Sequence, residues 1–173
     1  MRKLLPFLAV SVVLSMAANA QAVSRATFTL PSGVIVTVTE APFNKSRFHV
    51  SGCSGNGACL INGRIPFGFG AQLPNTYVKS ITVTFKGHTY ALDASDMYDA
   101  WQNRPLEYKG IRYFGGKCDE PGYCQFRGLF SDGIGSFVAE WSVVDGRAFR
   151  TVLTSSDDIV DLISKHIDPP EYE

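Results

Sequence analysis

Beyond its first 20 residues the chain has no apolar run approaching the roughly 18 residues that a membrane-spanning helix requires. It also has no block of like charge and no cysteine pair at the spacing of a redox or zinc motif. Each absence closes a class of function. With 16 basic and 16 acidic residues dispersed along 173 positions, the chain carries no electrostatic footprint for nucleic acid or another polyanion. The cysteines form two pairs, each with five residues between its members. Cys-x-x-Cys is therefore missing and a thioredoxin-like role is not expected, while paired zinc ligands usually stand two to four residues apart.

The motifs of catalysis are missing too. No Gly-Lys-Ser/Thr follows a glycine-rich loop, and Gly52-Cys53-Ser54-Gly55-Asn56 fails the nucleophile-elbow pattern at its last position. No Asp-x-Asp-x-Asp-Gly calcium loop occurs. Only three histidines are present, His49, His88 and His166, far apart and in different expected elements. We therefore expect no cofactor and no metal, and read the chain as not an enzyme. No internal repeat occurs.

What is present begins with an export signal. Met1-Arg2-Lys3 precedes an apolar stretch to about residue 17, and Ala18-Asn19-Ala20 forms a small-x-small cleavage site, the layout of a secretory signal peptide over residues 1–20. Gln21 follows the cut, so no lipid anchor is expected. The short basic start and the Ala-x-Ala site point to a bacterial, periplasmic or secreted protein, with residues 21–173 as one β-rich domain. In that oxidising compartment Cys53, Cys59, Cys118 and Cys124 are expected to form two disulfides. The local pairs Cys53–Cys59 and Cys118–Cys124 are favoured because both intervals contain turn-forming residues. Each ring would stabilise by about 2 kcal/mol in the chain-entropy model.

The rest of the chain reads as hairpins. Pro31-Ser32-Gly33 joins strands over 27–30 and 34–39, with Phe28, Leu30, Val34, Val36 and Val38 on one face. Lys86-Gly87 joins 81–85 to 88–92, with a bulge allowed because Lys is a poor first turn residue. Asp145-Gly146 joins 137–144 to 147–154 in a type I′ turn, setting Trp141 opposite Arg150 and Ala139 opposite Val152. The first of those pairings suggests a cation–π contact. Residues 47–51, 111–114 and 125–130 read as further strands. Residues 51–75 and 115–124 read as cysteine loops, and Asp93 as the cap of a short middle helix to Trp101. Ser155 with Asp158 approximates a capping box for a last helix whose stripe is Ile159, Val160, Leu162, Ile163 and Ile167, ended by Pro169-Pro170.

The expected fold is thus α+β and mostly antiparallel. It is a sandwich or open barrel of hairpins with a short middle helix and a C-terminal helix packed on the sheet. Such a scaffold, exported and without catalytic signatures, reads as a protein-binding module: a periplasmic inhibitor or immunity-type protein that blocks an envelope-acting hydrolase or toxin. Its contact candidates lie in the pre-ordered loops, at Ser54, Asn56, Phe67, Phe69, Asp119, Glu120 and Tyr123, where rigidity lowers the entropy lost on binding. The alternative is a small envelope hydrolase or carbohydrate-binding protein using His88, Asp96, Asp99 or Glu140. A third reading is a structural subunit of an envelope assembly. Asp93, Asp96 and Asp99 are more simply dipole and capping groups of the expected middle helix.

Overall fold

Turn chemistry sets out most of the architecture. In the computed structural model, which describes residues 23–54, 58–68, 73–100, 113–131 and 135–170, all three hairpins form. The leader at 1–20 lies outside the described residues. Strands β1 (Ser24–Thr29) and β2 (Ile35–Pro42) flank the Pro31 turn, where Gly33 takes φ 79°, a conformation costly for side chains with a Cβ. Strands β3 (Val50–Ser54) and β4 (Ala58–Ile61) form a small hairpin of their own. Strands β5 (Thr76–Phe85) and β6 (His88–Leu92) pair Phe85 directly with His88. Lys86 and Gly87 both adopt positive φ, 46° and 81°, so the turn is a two-residue type I′ despite the lysine.

The other half of the molecule contains β7 (Phe114–Glu120), β8 (Tyr123–Phe130), β9 (Phe137–Val144) and β10 (Arg147–Thr154), followed by helix α1 (Asp157–Lys165). The strands make two four-stranded antiparallel sheets, ordered β1-β2-β5-β6 and β10-β9-β8-β7. Their inner faces share one core: Val36, Val38, Ile81 and Val83 from the first sheet meet Phe114, Phe126, Trp141 and Val143 from the second. This is a β-sandwich. Trp141 is its centre, stacked on Phe114 at 5.8 Å and edge-on to Phe130 at 6.2 Å, with its indole N–H donating to the Asp93 carbonyl at 2.9 Å.

Helix α1 covers the outer face of the second sheet. Val138 is buried there against Ile163 and Ile167, with Leu129 and Val160 beside them. Arg127 ties the end of the helix down by donating to the carbonyls of His166 and Asp168 while pairing with Glu140 at 3.1 Å. At Gly115 a Cβ would run into the Ile167 carbonyl, so the glycine lets the tail lie against β7.

Several local expectations give way. The 51–75 stretch is not one long loop, because β3 and β4 occupy part of it. The expected strand at 47–51 starts only at Val50, after a short 3-10 turn, Lys45–Arg47. The 115–124 stretch is mostly strand, with Pro121-Gly122 as the turn. No middle helix forms over 93–100, and Trp101 lies outside the described residues. Asp93 there accepts the Ser95 N–H, closing a turn instead of starting a helix. Asp96 and Asp99 take φ of 64° and 38°, and Met97 and Tyr98 make strand-like bridges to Phe67 and Tyr77. The cap of α1 is Ser156, without a side-chain cap bond, so the Ser155 capping box is not used. A bulge after Arg150 shifts the ladder by one residue, placing Leu153 rather than Val152 opposite Ala139.

Candidate functional site

The fold places the candidate loop residues at different ends of the sandwich. Both local disulfides form, Cys53–Cys59 and Cys118–Cys124. The second is a rung of the β7–β8 ladder with both sulfurs in the core, whereas Cys53 is exposed. Ser54 ends β3 in register with Ala58. Asn56 and Phe69 lie outside the described residues. Phe67 is half-buried, packs on Phe137 with centroids 6.4 Å apart, and is bonded through its backbone to Asp96 and Tyr98. It therefore anchors the segment that leads into it.

Asp119, Glu120 and Tyr123 surround the β7–β8 turn and are exposed. Asp119 pairs with Lys117 at 3.6 Å. The Tyr123 hydroxyl donates to Asp145, which pushes its pKa up, and Gly146 N–H donates to the Gly122 carbonyl at 3.1 Å. Two turns are thereby locked into one acidic tip. From Tyr123 the strand β8 runs seven residue steps to Phe130, stacked on Phe137, a length of about 23 Å at strand rise. The acidic tip and Phe67 thus belong to opposite ends and do not form one continuous surface.

The Phe67 end holds features that no single stretch of sequence displays. Strand β6 pairs with β5 only from Leu92 opposite Ile81 to His88 opposite Phe85. The chain then swings away over 93–96 and returns so that Met97 carbonyl accepts from Val78 N–H. Opposite this gap the β2–β5 ladder bulges: Thr39 faces Ser80 and Glu40 faces Val78, leaving Lys79 between them. The result is a groove of about 400 Å³ lined by Phe48, Asn62, Tyr77, Lys79, Ser95 and Asp96 among others. Its aromatic wall is a cluster. Phe48 stacks on Phe43 at 4.5 Å and meets Tyr77 and Tyr98 edge-on at 5.2 and 6.4 Å.

The rim is charged. Asp96 is held by Arg64 at 3.1 Å and Arg150 at 3.8 Å, and Arg150 also reaches Asp93 at 3.3 Å. Arg150 donates further to the Ser95 carbonyl and hydroxyl. Burial opposes ionisation of Asp93, but the Ser95 hydrogen bonds and the two arginines outweigh it and hold its pKa below the usual carboxylate value. Burial, helped by the Asp96 charge, pushes the Tyr98 hydroxyl up to about 12. Behind the groove, buried Glu40 and Asp99 both face the Thr76 hydroxyl, at 2.9 and 3.2 Å. Asp99 also accepts the N–H groups of Asn75 and Thr76, fastening the start of β5. At Gly68, φ 104°, a Cβ would collide with the Tyr98 carbonyl, so this close approach of two loops requires glycine.

The other chemistry-bearing residues are dispersed. His88 sits exposed at the β5–β6 turn, the opposite end of that hairpin from Asp96, while His49 is exposed and His166 caps α1. Among the described residues no three His, Cys, Asp or Glu side chains converge as metal ligands, and no helix among them is long and apolar enough to cross a membrane. Sequence reading passed over Phe48, Asn62, Tyr77, Lys79, Arg64 and Arg150 as site residues. The only signal available was the alternation of aromatic and polar residues in short strands, which does not say who meets whom. Comparison with protein-family models, curated proteins and solved structures finds no match to this chain.

Proposed function

We propose that the chain is an exported, disulfide-stabilised protein-binding module, acting in the periplasm or outside the cell as an inhibitor or immunity-type protein against an envelope-acting hydrolase or toxin. The observation that carries this reading is a coincidence at one end of the sandwich. The disulfide-closed β3–β4 hairpin, exposed Leu60 and Ile65 (38% and 69% accessible) and the aromatic groove occur together there. Apolar side chains presented on a pre-ordered hairpin are what a protein interface uses as anchors. The carboxylates available for acid–base work are engaged elsewhere: Asp96 with two arginines, Asp99 with backbone N–H groups and Glu140 with Arg127. Those engagements favour binding over hydrolysis.

The test is affinity capture of the mature chain's partner from an envelope extract, followed by calorimetry with the purified pair. Ile65→Asp and Leu60→Asp should each weaken binding at least about tenfold, the effect of losing one anchor. If both variants, and a chain whose 119–123 turn is replaced, bind the partner as the parent does, the contact assignment is wrong. Hydrolysis of peptidoglycan or glycans by the parent, lost in Asp96→Ala, would favour the enzyme instead.

A further inference from the structure

The groove over the β5 bulge has a one-sided chemistry. Asn62 Oδ1 is occupied by the His49 N–H at 2.9 Å, leaving its Nδ2 hydrogens to face outward demand. The Ser95 hydroxyl is spent, accepting from Arg150 at 3.2 Å and donating to the Asp93 carboxylate. Lys79 is exposed and forms no ion pair with a described residue. Arg64, its side chain 65% accessible, adds a second cation beside the rim. Arg64 and Arg150 are paired with Asp93 and Asp96, and the buried Glu40 and Asp99 behind the groove are bonded to Thr76, so Lys79 is the exposed lining cation that makes no ion pair with a described residue. The floor and wall are apolar, from Leu92 and Met97 to Phe48 and Tyr77.

We propose that this groove receives a segment of a protein partner that presents an aromatic or branched apolar side chain flanked by carboxylates. The apolar side chain would lie against Phe48 and Tyr77, and the carboxylates would meet Lys79 and Asn62. The volume, about 400 Å³, is at the small end of ligand pockets and suits one large side chain with its flanking backbone. Charge complementarity decides the class of segment, because an incoming anion finds donors without displacing an existing ion pair, whereas an incoming cation finds only carboxylates already held. The inference rests on the protein-binding reading and specifies the partner chemistry.

The experiment is an NMR titration of the isotope-labelled mature chain with two acetylated, amidated pentapeptides, Gly-Glu-Phe-Glu-Gly and Gly-Lys-Phe-Lys-Gly, and with chitotriose. The acidic peptide should shift the amides of Tyr77, Lys79, Ser95 and Asp96. In Lys79→Glu, whose fold is checked by its unperturbed β9–β10 amides, the acidic peptide should bind at least about tenfold more weakly and the lysine peptide should gain. Equal shifts from both peptides in the parent, a response to chitotriose but to neither peptide, or no shift at these four amides at millimolar peptide would each overturn the proposal. Concentration-dependent shifts of the same amides in the free chain, abolished by Glu120→Lys, would make a second copy's acidic tip the occupant and overturn a separate partner. Failure of these titrations removes the groove's role while a partner captured through Ile65 keeps the binding reading. Failure to capture any partner removes that reading instead.

Discussion

Arg150 stands opposite Trp141 in the β9–β10 ladder, yet its guanidinium leaves the indole to hold the 93–96 turn that Trp141 also grips through the Asp93 carbonyl. The two neighbours on one sheet fasten a turn attached to the other. That turn forms one wall of the groove, so sandwich closure and groove shape are coupled through these side chains.

Replacing Arg150 by Met keeps the stem packing and removes its bonds to Ser95, Asp93 and Asp96. Both Arg150 and Asp96 are largely buried, with side chains 12% and 15% accessible. We expect a loss of about 2–3 kcal/mol, the effect of breaking a sequestered, charge-assisted network, read as a lower midpoint in urea. Unchanged stability would show that Arg64 and Trp141 hold the turn without Arg150.

Stability should fall at both extremes of pH, through groups flanking the groove. The Asp93 pKa is depressed, so its contribution is present above the unfolded value near 3.8 and is lost as pH drops through the folded value. The Tyr98 pKa is raised, so its contribution is present below the unfolded value near 10 and is lost as pH climbs toward about 12. Tyrosinate absorbance should show Tyr98 and Tyr123 ionising late at alkaline pH, and Tyr98→Phe should remove the step near 12 and leave that of Tyr123.

The two disulfides should differ in weight. Each closes a short ring with a sequence separation of 6, contributing about 2 kcal/mol through the unfolded chain. Cys118 and Cys124 both pack in the core at 9% and 4% accessibility, whereas in the other pair Cys59 is buried at 7% and Cys53 is exposed. Replacing Cys118 and Cys124 together by alanine should therefore cost about 1 kcal/mol more than replacing Cys53 and Cys59, the added loss being the packing of one more buried side chain. Thermal unfolding of the two double variants measures the difference.

The bulge after Arg150 makes its own prediction. Leu153, opposite Ala139, packs against the core, while Val152 faces Glu140. Leu153→Ala should cost about 2–3 kcal/mol and Val152→Ala clearly less. A larger loss at Val152 would restore the unbulged register.

Much of the fold was legible in short stretches because hairpins are local objects. Pro31-Ser32-Gly33, Lys86-Gly87 and Asp145-Gly146 each place residues that tolerate or require unusual φ between two alternating runs, and each became a turn at that place. Cys118 and Cys124 were legible as a pair but not as opposed strand residues, since the intervening Pro121-Gly122 resembles any loop. The 93–99 segment was misread as helix because acidic residues at helical spacing serve caps and turns equally well. Asp93 chose the turn once Phe67 and Tyr77 offered Met97 and Tyr98 strand partners.

By itself, the sequence determined the three hairpin turns, the apolar faces of their strands, the local cysteine pairs and the stripe on the last helix, all set by neighbours within a few residues. The tertiary structure alone decided the strand order, the bulges and the opposite placement of the acidic tip and the β3–β4 hairpin. It also decided the groove where Phe48, Asn62, Tyr77 and Ser95 converge. Those features depend on which distant segments share a core, and alternation along one strand says which face is buried but never against what.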